Sequence, residues 1–276
     1  MNKHLIQAFS LLCTAATVYG ADLVSIKAES AKNFYNGDKL SVVDGVFTIP
    51  AQSKVKAPGG YFYLEKAPVN LDSPYRLSGE FKSVSGESGN RIRFGLILLT
   101  AKTSPLNARS INIVPDSETV LLADCSAADK KVKIKNGTNW KQDGICLIAF
   151  DVDPTGKQRD LPNNHLSKGL ITAVRPVSDG VELELNAPVG QNYPAGTPVR
   201  AHRASWTYFY VGASATALGD DWKKIEVVIP PGAIPAATLK RWWFGTKYAM
   251  IVVESTDSKK GVMFRNLTLT ELPATK

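Results

Sequence analysis

Proton transfer at neutral pH needs a group that titrates there, and covalent catalysis needs a nucleophile beside a base. The chain is poor in both. Past position 20 its histidines are His165 and His202, and neither stands in a nucleophile motif such as G-x-S-x-G. No Ser/His/Asp set is readable. Glycoside hydrolysis on a sheet needs carboxylates at alternating positions of one strand, one as acid and the other as base or nucleophile. Glu182 and Glu184 alternate, but they lie in Val181-Glu-Leu-Glu-Leu after a Ser178-Asp-Gly turn. That pattern is a hairpin whose charged face meets solvent. Elimination on a uronate needs Arg or Gln to neutralise the carboxylate and Tyr or His as base. Arg91, Arg93, Glu80 and the tyrosine row at 208 could form such a set on one sheet, though no lyase signature accompanies them.

Metal binding has one candidate. Asp151-Val-Asp153-Pro-Thr155-Gly156 places oxygens at positions 1, 3 and 5 and glycine at 6 of a calcium loop. Position 9 is Arg159 and position 12 is Pro162, so the bidentate glutamate is missing and a polar turn is the better description. No metal ligand or cofactor site is assigned, a structural calcium is the one metal left open, and two remaining cysteines with no nearby pair of histidines argue against zinc.

Sugar binding has the richest set. Aromatic rings stack on the C–H face of a pyranose while polar neighbours bond its hydroxyls. Ser205-Trp-Thr-Tyr-Phe-Tyr-Val reads as a strand, and its alternation puts Trp206, Tyr208 and Tyr210 on one face. Trp242 and Trp243 form a second aromatic pair, expected at a loop or strand edge. An exposed pair of that size would serve contact; the alternative is that at least one of the two plugs the end of the sandwich. Arg91, Arg93 and Glu80 are the polar partners. Trp140 and Trp222 are assigned to cores.

These residues must be held by strands. Tyr75-Arg-Leu-Ser-Gly-Glu-Phe-Lys-Ser alternates, with Leu77, Gly79 and Phe81 on one side. In Arg91-Ile-Arg-Phe-Gly-Leu-Ile-Leu-Leu, Ile92, Phe94, Leu96 and Leu98 form the core face and Arg91 and Arg93 lie opposite. Asn107 to Val114 reads as another short strand, and Ile234 to Arg241 as a helical turn. Short strands crowd 118–203, and Lys247–Glu254 and Val262–Glu271 close the chain. No long helical period occurs, and many strands at regular spacing give an all-β sandwich or jelly roll.

The chain has 276 residues, a formal net charge of +8 and three cysteines. Met1-Asn-Lys-His, the apolar run to Val18 and Tyr19-Gly20-Ala21 read as a signal peptide, residues 1–20, cleaved after Gly20. Leu12 before Cys13 does not suit a lipobox. No later stretch is long and apolar enough for a membrane span. The expected location is therefore secreted, periplasmic or at the cell surface, and Cys125 and Cys146 are expected to form a disulfide. The lysines are scattered and no nucleic-acid-binding motif accompanies them, which argues against a nucleic-acid partner.

Two resemblances complete the reading. Residues 35–115 and 204–276 resemble the jelly-roll modules of carbohydrate-binding families 4 and 9. The features are the 75–83 strand, the 91–99 strand after a Gly-rich turn, Trp222-Lys-Lys-Ile and Met263-Phe-Arg-Asn-Leu-Thr-Leu. Where that family's last strand carries an acidic residue near its structural calcium, this chain has Arg265. Residues 118–203 resemble a small β-barrel repeat of bacterial and phage surface proteins, through Lys131-Val-Lys-Ile, Asn139-Trp140, Asp143-Gly144 and Tyr193-Pro-Ala-Gly-Thr-Pro-Val. Asp143-Gly144 is reversed from that repeat's usual Gly-Asp. The resemblances imply a jelly-roll β-sandwich from 21–117 and 204–276, interrupted by a barrel subdomain at 118–203. The leading functional expectation is a secreted, non-catalytic binder of polysaccharide or surface glycan. The alternatives are a structural or adhesive surface protein that self-associates, and a polysaccharide lyase or glycoside hydrolase.

Overall fold

A computed structural model describes residues 23–51, 61–84, 89–204, 208–236, 238, 240–257 and 260–273. The proposed signal peptide and Trp206 lie outside these residues. The described strands are β1 (Leu23–Lys27), β2 (Ser41–Val43), β3 (Val46–Ile49), β4 (Tyr61–Tyr63), β5 (Ala67–Pro68), β6 (Tyr75–Ser83), β7 (Arg91–Leu99), β8 (Thr119–Val120), β9 (Lys131–Ile134) and β10 (Cys146–Phe150). They continue with β11 (Ile171–Val177), β12 (Gly180–Leu185), β13 (Pro198–Arg203), β14 (Phe209–Ala217), β15 (Lys223–Ile229), β16 (Ala233–Ile234), β17 (Trp242–Trp243), β18 (Tyr248–Ser255) and β19 (Val262–Glu271).

The fold is an all-β sandwich. Among the described residues one sheet has the order β15-β6-β19-β3-β2, with β1 also on β19. The other has the order β14-β7-β18-β4, with β5 also on β18. Alternation decides what lies between them. Tyr75, Leu77 and Phe81 of β6, Phe47 and Ile49 of β3, and Phe264 and Leu269 of β19 meet Ile92, Phe94, Leu96 and Leu98 of β7 and Ile251 and Val253 of β18 in one core. Phe81 and Phe94 touch across the two sheets with ring centroids 4.8 Å apart.

Residues 114–203 fold around a different core. Two three-stranded sheets, β10-β13-β8 and β11-β12-β9, bury Val132, Ile134, Ile148, Phe150, Ile171, Leu183, Leu185 and Val199 among others. The inbound and outbound chains pair with each other: Val114 N–H donates to Ala201 O at 2.9 Å and Arg203 N–H donates to Asn112 O at 2.9 Å. Glu182 and Glu184 lie on the face away from this core, paired with Lys131 at 3.1 Å and Arg175 at 2.6 Å. Trp140 is buried in this core, as expected, and its Nε1 donates to Ser117 O at 3.1 Å.

Several expectations are corrected. Cys125 and Cys146 are both buried in the second core as free thiols, not a disulfide. Spacing along the chain gave loop length but no Cβ geometry, and geometry decides a bridge. Burial pushes both thiols up to about 11, which leaves them inert at neutral pH. The segment 107–114 forms a short 3₁₀ turn, Ala108–Ser110, capped by the Asn107 side chain, in place of a strand. Among the described residues of 234–241 no helical turn forms, and Ile234 instead belongs to β16, which pairs in parallel with β17.

Candidate functional site

The outer face of the β14-β7-β18-β4 sheet gathers most of the surviving site residues. In β7 the core takes the even positions, so Arg91, Arg93, Ile97 and Leu99 face outward. In β18, Ala249, Ile251 and Val253 face the core, so Tyr248, Met250, Val252 and Glu254 face outward. The antiparallel register then sets Glu254 opposite Arg93, Met250 opposite Ile97 and Tyr248 opposite Leu99. Ile97, Leu99, Tyr210 and Val252 form an apolar floor, against which Tyr208, Tyr248 and Met250 are half-buried.

Tyr210 reaches this floor because β14 is irregular. Its pairing with β7 jumps from Phe209↔Leu96 to Ala213↔Phe94. The extra residues bulge over Gly95, where a Cβ would strike the carbonyl of Phe209 and the backbone of Tyr210. Glycine at 95 is what lets the aromatic strand lie so close.

At one end of the floor three groups satisfy one another. Arg93 Nη1 donates to both oxygens of Glu254 at 3.2 Å, and the Tyr210 hydroxyl donates to Glu254 Oε2 at 2.7 Å. The Glu254 side chain is 0% exposed and that of Arg93 31%. The Arg93 guanidinium also lies 5.6 Å from the Tyr210 ring centroid. Three hydrogen bonds converge on this buried carboxylate and hold the three side chains in one geometry. Arg, Tyr and carboxylate are the groups an elimination reaction uses, but here the acceptor oxygens are engaged and the tyrosine and glutamate are buried. The arrangement fixes Arg93 and Tyr210 in place.

Beyond this set the face carries rings and cations. Tyr208 meets Tyr210 edge-on at 5.7 Å, and Lys66 Nζ lies 5.6 Å over the Tyr248 ring. Tyr35, 71% exposed, lines a cavity of about 390 Å³ with Met250, Lys32 and Glu65 at the sheet's β4–β5 edge. Arg91 is exposed at the far end of β7.

The other candidates are elsewhere. Trp242 and Trp243 are 0% and 1% exposed in the sandwich core, so they are not a contact pair. Trp242 meets Tyr75 edge-on at 5.3 Å, and Trp243 Nε1 donates to Thr238 O at 2.9 Å. Their pairing with β16 seats both strands on the core, with Ala233 and Phe244 packed beside them. Glu80 is on the outer face of the opposite sheet, not beside Arg91 and Arg93. It accepts from Arg265 Nε at 2.6 Å and from Asn266 at 3.3 Å, which lowers its pKa. Trp222 is also corrected: it is half-exposed on that outer face, with Arg265 at 4.3 Å and Lys82 at 5.0 Å from its ring.

The Asp151–Gly156 loop satisfies its own carboxylates. Asp153 accepts from the Thr155 hydroxyl at 2.7 Å, from Thr155 N–H at 2.9 Å and from Arg159 N–H at 3.1 Å, which draws it down to about 2. Asp151 binds His165 Nδ1 at 2.7 Å. Glu254, Tyr248 and Lys66 were missed from sequence. A carboxylate inside Met250-Ile-Val-Val-Glu was the available signal, but its partner becomes visible only once the strand register is known.

No protein-family model matches the chain, and no curated protein matches it. Among solved structures the chain is similar to the CBM22-1 xylan-binding domain from Paenibacillus barcinonensis Xyn10C. The identity is 8%, the match covers 91% of this chain and 94% of that one, and the TM-score is 0.31. At that level no residue or ligand carries across. No helix among the described residues is long and apolar enough to cross a membrane.

Proposed function

We propose that this chain is a secreted, non-catalytic polysaccharide-binding β-sandwich, and that the outer face of the β14-β7-β18-β4 sheet is its platform. One observation carries the reading. Tyr208 and Tyr248 stand half-exposed on a floor of Ile97, Leu99 and Val252, beside an Arg93 that Glu254 and Tyr210 hold fixed. Half-exposed rings on a rigid sheet supply stacking area at little entropic cost, and fixed polar groups beside them supply orientation. Of the expected residues, Tyr208, Tyr210, Arg93 and Arg91 belong to this face. Tyr248, Met250 and Lys66 join them.

The test is a glycan-array screen of the protein, with Tyr208→Ala and Tyr248→Ala beside it. Saturable binding that falls about tenfold in either variant, with no product formed, supports the platform, since an aromatic contact is worth roughly 0.5–1.5 kcal/mol beyond the area it buries and about 1.4 kcal/mol is tenfold. Binding untouched by both variants removes it.

A second reading has its own observation. Among the described residues β2 is an edge strand in which Val42 and Val43 are exposed, Val43 at 69%. A free edge with exposed valines suits pairing with another strand, as in an adhesive or structural surface protein. Absence of glycan binding together with concentration-dependent self-association would favour that reading.

A further inference from the structure

We infer that the cleft where the sandwich meets the 114–203 segment is a second binding site, and that it takes the anionic groups of an acidic polysaccharide. The cleft has a volume of about 520 Å³. Three separate pieces of chain wall it: the loop after β7 with the following 3₁₀ turn (Thr100 to Ser110), Pro162 and Asn164 of the second segment, and Gly245 and Lys247 before β18.

The cleft is built rather than left over. Asn163 N–H donates to Ser110 O at 2.8 Å, and the buried Asn163 side chain donates to Phe150 O at 2.9 Å and Asp160 Oδ2 at 3.1 Å. The 162–164 loop is thereby anchored to both cores. Gly245, at φ +83, comes so close to the Pro162 ring that a Cβ there would meet Cγ at 2.7 Å. Thr100 N–H and Leu106 N–H close the loop opposite, through Ser104 O at 3.0 Å and Leu98 O at 2.8 Å.

Its chemistry is one-sided. Lys102 and Lys247 are exposed in the lining; among the described residues no carboxylate lines it, and neither lysine's side chain has an ion-pair or hydrogen-bonding partner. The Thr100 and Ser104 hydroxyls and the Asn164 amide add neutral donors, and Pro105 and Pro162 add apolar surface. Two unpaired cations with hydroxyls, an amide and proline rings suit a sugar that bears a negative charge, because the lysines meet the charge and the rest meets the ring. Lys247 directly precedes Tyr248 of the platform, so one chain of sugars could engage both. The ligand class rests on the polysaccharide-binding reading above; the cleft does not.

Calorimetric titration with three probes tests it: an oligogalacturonate, a sulfated chondroitin oligosaccharide and a neutral xylo-oligosaccharide. The charged probes separate carboxylate from sulfate ester as the preferred group. The double variant Lys102→Ala/Lys247→Ala, at exposed positions where folding is insensitive, should bind the preferred charged probe about tenfold more weakly. Any binding of the neutral probe should stay unchanged. Salt should weaken the charged probe in the parent protein and much less in the double variant. Wild-type failure to bind either charged probe, or charged binding that survives the double variant, overturns the cleft. Tyr208→Ala/Tyr248→Ala run in parallel separates the two sites: neutral binding lost there while the lysine variant has no effect keeps the platform and removes the cleft. Charged binding lost in the lysine variant, with neither probe's binding changed in the tyrosine variant, keeps the cleft and removes the platform.

Discussion

Glu254 is the residue on which the platform depends. It is a fully buried carboxylate whose oxygens are engaged by Arg93 and Tyr210. Removing one partner of such a pair leaves a charge buried without compensation, which costs about 3 kcal/mol or more. Arg93→Leu should therefore destabilise the protein by about 3 kcal/mol in urea unfolding. Arg91→Ala, two residues away and exposed, should stay within roughly 0.5 kcal/mol. Adding Glu254→Gln to Arg93→Leu should recover part of the loss, because the second change removes the unpaired charge. Losses that simply add would show that the charge is not the source. Sequence offered Arg93 because it breaks an apolar alternation outward. It could not offer Glu254 as its partner, since the two are joined by a register that sequence does not encode locally.

At the scale of the element, glycine sets where the aromatic strand can lie. Gly95→Ala places a Cβ against the Phe209 carbonyl and the Tyr210 backbone, so β14 must shift away from β7. Overpacking of this kind costs about 1–3 kcal/mol. Tyr210 would then lose its grip on Glu254, so glycan binding should weaken along with stability. Gly219→Ala, where a Cβ meets open space at ordinary φ, should leave both unchanged and serves as the control. If Gly95→Ala unfolds normally and binds normally, the bulge does not position the platform. The alternation of β6 and β7 was legible because each residue's face follows from its neighbour's. The same logic failed at Trp222 and at Trp242–Trp243. Trp222 precedes β15, where strand alternation does not apply, and two cations hold its ring on the surface. Trp242 and Trp243 are adjacent and both buried, because their short strand pairs with β16 and core residues cover both rings.

At the scale of the whole molecule, the two cores are joined through a buried ionic network whose stability depends on pH. His202 of β13 is completely buried, and its backbone bridges Ile113 on the inbound chain. Its Nδ1–H donates to Arg109 O at 2.8 Å, and its Nε2 accepts from Arg200 at 3.0 and 3.2 Å. Arg200 in turn donates to Asp160 at 2.7 Å and lies 3.9 Å from Glu118. A ring that accepts from a guanidinium must be neutral. Burial first, and Arg200 beside it, hold the imidazole down to about 4, against the opposing pull of the Arg109 carbonyl and Asp160. The unfolded chain protonates His202 near pH 6.5 and the folded chain only near 4, so between these values the unfolded state binds more protons. Stability is then full above about pH 6.5 and falls on acidification through that window, by on the order of 3 kcal/mol. Burial pushes Asp160 up, but hydrogen bonds from the Asn163 side chain and Asp153 N–H, together with Arg200, outweigh it and lower its pKa, so it adds a further loss only at more acid pH. Urea unfolding at steps between pH 7 and pH 4 should show this fall. His202→Asn should be less stable at pH 7 but should have a flatter slope across the window. A wild-type curve flat from pH 6.5 to 4 would mean that His202 is not held neutral, and that the joint between the cores is not where acid acts first.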